Sequence, residues 1–353
     1  MNAAFRIRQT WTIARLHLGR VFFSRRSFWV YLLALFPAVV FLAHGIQMKI
    51  EYRWLSSRVT PVALLESIPQ GAREDGVIEK VGKPVRDNSY QFGPKRQQFR
   101  HMQYFDGERR WDLRFSSGLL QSKQRHQIFN FTEDRLVFAG MFQFFYLRLA
   151  IFFGCLGIFA NLFRGEMLDK TLHFWFLAPA RREVLLAGKY LAGVIAALLI
   201  FTVGAVLGFT MMLWPHHAGQ LTAYWQDQGL SHLFRYASAA ALGCIGYGSI
   251  FLAFGLLFRN PIIPAIVILL WENINGILPT LLQKLSVLYY AQSLCPVPVP
   301  TNDSMPILIR LLISPADPPS TFTAVFGFLV VTALVLWVSS RIVCRLEINY
   351  NTE

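Results

Sequence analysis

Arg164–Lys189, RGEMLDKTLHFWFLAPARREVLLAGK, is charged at both ends and apolar in its middle. There Phe174, Trp175, Phe176 and Leu177 precede Pro179 and the pair Arg181-Arg182. A loop joining two membrane spans needs only a few polar residues. This stretch instead predicts a small amphipathic helix over 164–182, a proline break and a new helix start. Such an arrangement offers a cytoplasmic partner a place to dock. A helix lying on lipid is the plainer alternative for the same residues.

The flanks set the context. Residues 136–163 and 184–213 are apolar and long enough to cross a bilayer. Of 353 residues, 54% are hydrophobic and only 15% are charged, against ~25% in soluble domains. Mean hydropathy is +0.40. The net charge of +14 is what cytoplasmic Lys and Arg facing anionic lipid produce. No basic soluble domain is present to carry nucleic acid, so none is expected as a partner.

Toward the N-terminus, residues 47–135 are polar and mixed in charge. Trp111, Leu113 and Phe115 alternate with Arg110, Asp112 and Arg114, and Asp106-Gly107 supplies a hairpin turn after a strand near Phe99–Phe105. These residues predict a small external domain with β-structure. Before it, 28–46 reads as the first span. Residues 1–27, with Ile7, Trp11, Ala14, Leu18, Val21 and Phe22 on one helical face and Arg6, Arg8, Arg15 and Arg20 around the rest, read as an amphipathic interfacial helix.

Toward the C-terminus, 233–258 is a further span and Arg259-Asn260-Pro261 a cytoplasmic turn. The segment 262–282 is broken by Pro264, Glu272, Asn273, Asn275, Gly276 and Pro279, which suggests a re-entrant or kinked helix. The Pro-rich 296–319 lies outside, and 322–340 is the last span before Arg341 and Arg345. Short loops assigned to the cytoplasm hold Arg164, Lys170, Arg181, Arg182 and Arg259, which puts both termini inside. The fold class expected is all-α and polytopic. It has six transmembrane helices, an interfacial N-terminal helix and a small α/β or β-containing external domain between the first and second spans; 136–353 forms the membrane domain.

Little in the chain carries bond chemistry. Gly82-Lys83 and Gly188-Lys189 lack the spacing of a P-loop, and no Ser/His/Asp motif occurs. Adjacent His216 and His217 point to different sides, and Cys155, Cys244, Cys295 and Cys344 lack metal-ligand spacing. No catalytic residue, metal or resident cofactor is expected. Two charges fall inside spans, Arg148 and Glu272. An unpaired charge there costs at least ~2.5–3.5 kcal/mol, so the two are expected to pair or to share a hydrated cavity.

Glu166, Thr171-Leu172, Leu177, Pro179, Arg181-Arg182 and Lys189 together resemble the E-x-x-x-G-T-L…P-x-x-R…K signature of type-2 ABC exporter permeases, with Lys170 standing where the pattern has Gly. The resemblance implies that 164–182 is a coupling helix between the second and third spans and that the N-terminal helix is the family's connecting helix. It further implies a Glu-bearing, Pro-interrupted fifth span (WENINGILP, 271–279) followed by re-entrant external helices. A separate ABC-type ATPase subunit, carrying ATP and Mg, would dock on Glu166, Asp169, Thr171, Leu172, Trp175, Phe176, Pro179, Arg181 and Arg182. Leu172, Trp175 and Phe176 would enter the partner's groove, with Glu166, Asp169, Arg181 and Arg182 as rim charges. A second copy or a sister permease would complete the transporter in the plasma membrane. The cargo could be a lipid, drug or peptide. The competing readings are a membrane anchor or sensor acting through its external domain, and a membrane-embedded enzyme.

Overall fold

The structure, a computed structural model, describes residues 3–24, 27–92, 97–177, 180–275, 278, 280–297 and 320–345. Its elements in chain order are helices α1 (Ala3–Phe23), α2 (Ser27–Leu55), α3 (Val62–Glu66) and α4 (Glu74–Val81), then strands β1 (Arg86–Phe92), β2 (Gln97–Phe105), β3 (Arg109–Ser116) and β4 (Leu119–Gln127). Helices α5 (Phe131–Leu168), α6 (Leu172–Leu177), α7 (Arg182–Leu213), α8 (Ala218–Leu257), α9 (Ile262–Ile274), α10 (Thr280–Gln283), α11 (Val287–Ser293) and α12 (Thr321–Arg345) follow. Contacts divide the chain into two compact units, one of Met1–Phe41, Arg135–Met212 and Ala218–Glu353, the other of Leu42–Asp134 and Leu213–His217.

Five described helices, α2, α5, α7, α8 and α12, are long and apolar enough to cross a membrane. Helix α2 runs 29 residues, roughly 44 Å at 1.5 Å per residue. The expected first span, 28–46, is therefore only the first part of a longer helix. Helix α9 has 13 residues, about 20 Å, short of a ~30 Å hydrocarbon core. Gly276 and Pro279, expected to break this segment, lie outside the described residues, as does most of the Pro-rich 296–319, expected to lie outside the membrane.

In the helical unit the helices approach closely where side chains are small. A Cβ on Gly204 of α7 would sit 2.5 Å from the Ala34 carbonyl oxygen of α2 and 2.5 Å from the Tyr146 hydroxyl. Only glycine lets those backbones meet, as in small-xxx-small helix pairs. The Tyr146 hydroxyl then donates to the Phe201 carbonyl at 2.6 Å, and Tyr190 on α7 donates to the Ile245 carbonyl of α8 at 2.9 Å. Phe138 packs against Phe41, Phe209 and Tyr236, with ring centroids 5.0–5.7 Å apart.

The second unit is built on a four-stranded antiparallel meander in the order β1-β2-β3-β4. The period-two pattern sets its register: Trp111, Leu113 and Phe115 share one face with Met102, Tyr104 and Leu120, and Leu65 of α3, Ile68 just after it and Val77 of α4 cover them. The β2–β3 turn is the one expected at Asp106-Gly107. Gly107 takes φ +105°, and Asp106 accepts the amides of Glu108 (2.9 Å) and Arg109 (2.6 Å) and the Trp111 indole N–H (2.8 Å). Lys123 on β4 closes the end of α3 by donating to the carbonyls of Leu65, Glu66 and Ile68 at 3.0–3.1 Å.

Candidate docking site around residues 164–189

Helix α5 ends in a Schellman motif. Thr171 N–H donates to the Glu166 carbonyl (2.9 Å) and Lys170 N–H to the Met167 carbonyl (3.2 Å), with Lys170 at φ +53°. The left-handed residue is where the resembling pattern has Gly, the residue that adopts this conformation without a Cβ clash. The sharp reversal hands the chain to α6, six residues long.

Orientation of α6 differs from the expectation. Leu172 is wholly buried, Trp175 and Phe176 are half-buried, and the residues turned outward are Phe174 (65% exposed) and Leu177 (80% exposed). The reason lies in the neighbours. Trp175 packs on His17 of α1, ring centroids 5.1 Å apart, and Phe176 lies under the Arg182 guanidinium at 4.3 Å. The expected apolar face is thus consumed inside the protein.

The charges are also redistributed. Glu166, expected on the rim, is buried and forms an ion pair with the fully buried Lys189 of α7. Lys189 also donates to the Leu162 carbonyl at 2.7 Å and lies 4.3 Å from the Phe163 ring centroid. A buried ammonium needs all three donors occupied or faced, and this site is built for it. Arg182 donates to the Val343 and Cys344 carbonyls at the end of α12, 3.3 and 3.2 Å, so it ties helices together. Asp169, Lys170 and Arg181 are exposed, and Thr171 is half-buried. Pro179 lies outside the described residues.

Helix α1 locks onto this root. Its buried face is Ile13, Ala14, His17 and Val21, shifted from the expected set; Ile7 and Trp11 point outward. The shift follows from Gly188, where a Cβ would come within 2.7 Å of Ile13 and 3.0 Å of the Thr10 carbonyl oxygen. The helix therefore crosses α7 at its glycine. His17 Nε2 then lies 3.8 Å and Arg20 3.7 Å from the Glu166 carboxylate. Burial, with help from the positive Lys189 and Arg20, pushes His17 down to about pH 3. His17 is therefore neutral at ordinary pH, and its approach to Glu166 is not a charge pair. Sequence reading did not single out His17, and placed Arg20 only among the arginines around the helix, because nothing in their own segment marks a partner so far along the chain.

Two hollows border the site. One, of about 330 Å³, is apolar and opens between α1, α6 and the start of α7, against Phe5, Leu16, Trp175 and Leu185. The other, of about 350 Å³, lies between α1 and α5, against His17, Arg20, Asn161, Glu166 and Asp169.

The two charges expected inside spans sit apart from this region. Arg148 occupies a π-helical stretch of α5, Phe142–Ala150, and donates to the Asn273 side-chain oxygen at 3.0 Å. The carboxylate of Glu272 is engaged elsewhere: it accepts the Ser286 hydroxyl and the Val287 amide, the latter at 3.0 Å. No direct Arg148–Glu272 ion pair occurs among the described contacts, yet the two charges are close enough to attract one another; Glu272 and Asn273, neighbours on α9, serve two different elements. Among the described residues no group of three or more His, Cys, Asp and Glu side chains is arranged to hold a metal. His216 lies 3.0 Å from Asp134, which is also 3.4 Å from His44.

No protein-family model matches the chain, and none of the curated proteins compared gives a significant match.

Proposed function

We propose that the chain is the transmembrane permease subunit of an ATP-binding-cassette exporter, driven by a separate ATPase that docks on residues 164–189. The observation that carries this reading is α6. It is a short helix held between two long apolar helices, with Phe174 and Leu177 turned outward beside an apolar groove and its root fastened by the buried Glu166–Lys189 pair. Exposed apolar side chains on a rigid mount suit a partner groove. Asp169, Lys170 and Arg181 would supply the polar rim. Because Glu166 belongs to α5 and Lys189 to α7, a push on α6 would be felt by both helices. ATP and Mg would reside on the partner.

In this reading 262–282 completes a sixth crossing, both termini face the cytoplasm of a plasma-membrane protein, and two permease copies or sister chains assemble. The cargo is a lipid, drug or peptide. The test is co-expression of the full chain with an ABC-type ATPase subunit, followed by co-purification and substrate-stimulated ATP hydrolysis. Phe174→Asp with Leu177→Asp should abolish both while leaving thermal stability unchanged. A folded double variant that still co-purifies and couples hydrolysis to transport overturns the docking reading.

A further inference from the structure

We infer that the second face of the β-sheet, which α2 covers only at its Phe105 and Arg110 end, binds an anionic carbohydrate where it is open. One sheet face packs on α3 and α4. The register puts Arg86 and Tyr90 of β1, Phe99 and His101 of β2, Arg114 of β3 and His126 of β4 on the other. Among the described strand residues on this face the one carboxylate, Asp112, is only 4% exposed and already engaged. It accepts from Gln103 (2.9 Å) and Arg110 (3.1 Å), with His101 at 3.2 Å and His126 at 3.7 Å. Arg110 is further engaged by Glu51. Arg86 and Arg114 are exposed, and neither has a carboxylate partner among the described residues. The open part of the face is therefore positive, the two nearby acids, Asp112 and Glu51, being already engaged.

Charge selects an anion, and the remaining side chains select its kind. Tyr90, 58% exposed, stacks on Phe99 across the β1–β2 pair, rings 5.6 Å apart and 19° from parallel. This flat apolar platform matches the C–H face of a sugar ring. Around it, Asn88 and Gln124 are exposed on the same face and can both donate to and accept from hydroxyls. Planar guanidinium forks bind carboxylate or phosphate with two parallel bonds. Tyr90 and Leu119 are the exposed large apolar side chains among the described residues of this face, too few to insert into a lipid surface, and an acidic peptide would have no use for the stacked rings. The inference does not depend on the exporter reading: it holds whether the saccharide is cargo or a surface contact.

The experiment is binding of oligogalacturonate, with a carboxylate on every ring, to the purified full chain in detergent, measured by calorimetry. Neutral dextran oligomers of equal length, poly-L-glutamate and glycerophosphoglycerol, an anionic lipid headgroup, serve as comparisons. Saturable, salt-sensitive binding of oligogalacturonate over all three is expected. Arg86→Glu with Arg114→Glu should weaken it by about tenfold or more per arginine, and Tyr90→Ala should weaken it as well. Lys80→Glu with Lys83→Glu, an equal change of charge away from the face, should leave it intact. Absence of binding, equal or better binding of poly-L-glutamate or the headgroup, or the same loss in both double variants overturns the proposal.

Discussion

Lys189, with no exposed surface, gives its ammonium to Glu166 twenty-three residues earlier in the chain, and that pair joins α5 to α7 across the base of α6. Removing one partner strands a charge in the interior, whereas removing both does not. Lys189→Met alone should cost about 3–5 kcal/mol, and Lys189→Met with Glu166→Leu should recover most of the loss. Thermal unfolding in micelles distinguishes the two, and equal destabilisation by the single and double variants would show that the pair is not the source.

Lys170 presents the opposite situation, a residue whose backbone is less comfortable than a replacement would be. At φ +53° its Cβ crowds the adjoining carbonyl, a cost of roughly 1–2 kcal/mol that glycine escapes in part. Lys170→Gly should stabilise the protein by about 1 kcal/mol without altering the Schellman hydrogen bonds. A lower unfolding midpoint would mean that the lysine side chain contributes more than its backbone costs.

Legibility followed the range of the interactions. The long apolar runs and the Asp106-Gly107 hairpin could be read because their signals are local: length, alternation and a turn residue with φ +105°. The position of α6 was legible for the same reason, but its facing was not. A six-residue helix has no periodicity strong enough to say which side is out, and contacts with His17 and Arg182 decide it. Glu166 looks like a surface charge in sequence because its partner, Lys189, arrives only after the reversal at Lys170. Arg148 and Glu272 were matched by depth alone, and depth cannot see Ser286 or Asn273.

His17 makes α1 sensitive to acid. A histidine in an unfolded or released helix takes up a proton near pH 6.5, but in place it does so only near pH 3. Between those values the released state binds more protons, so the packing of α1 is complete above about pH 6.5 and weakens as pH falls toward 3. Hydrogen exchange of residues 3–23 should accelerate over that window. In His17→Leu the pH dependence should flatten, and an unchanged acid response would assign it to another group.

Lys123 should hold α3 in place through its three carbonyl contacts. Lys123→Met keeps the stem that crosses the sheet and deletes only the donors. Hydrogen bonds from a charged group are worth about 1.5–3 kcal/mol, part of which water restores at this half-buried position. The variant should therefore expose 62–68 to faster hydrogen exchange and spare the β2–β3 hairpin. Loss of protection throughout the sheet would make Lys123 a determinant of the whole unit.

Glu272 has its own test, because its contacts to Ser286 and Val287 differ in what they require. The carboxylate accepts the Ser286 hydroxyl with one oxygen and the Val287 amide with the other, fixing the start of α11 against α9. Glutamine retains a single acceptor, which can serve the amide, and its NH2 group then faces a hydroxyl able to reverse its role. Alanine leaves a buried amide and a buried hydroxyl unpaired, at about 1–3 kcal/mol each. Glu272→Ala should therefore lower the unfolding midpoint in micelles well beyond Glu272→Gln. If the two variants are equally destabilised, the negative charge itself is required, and its attraction to the α9 and α11 surroundings outweighs the hydrogen bonds.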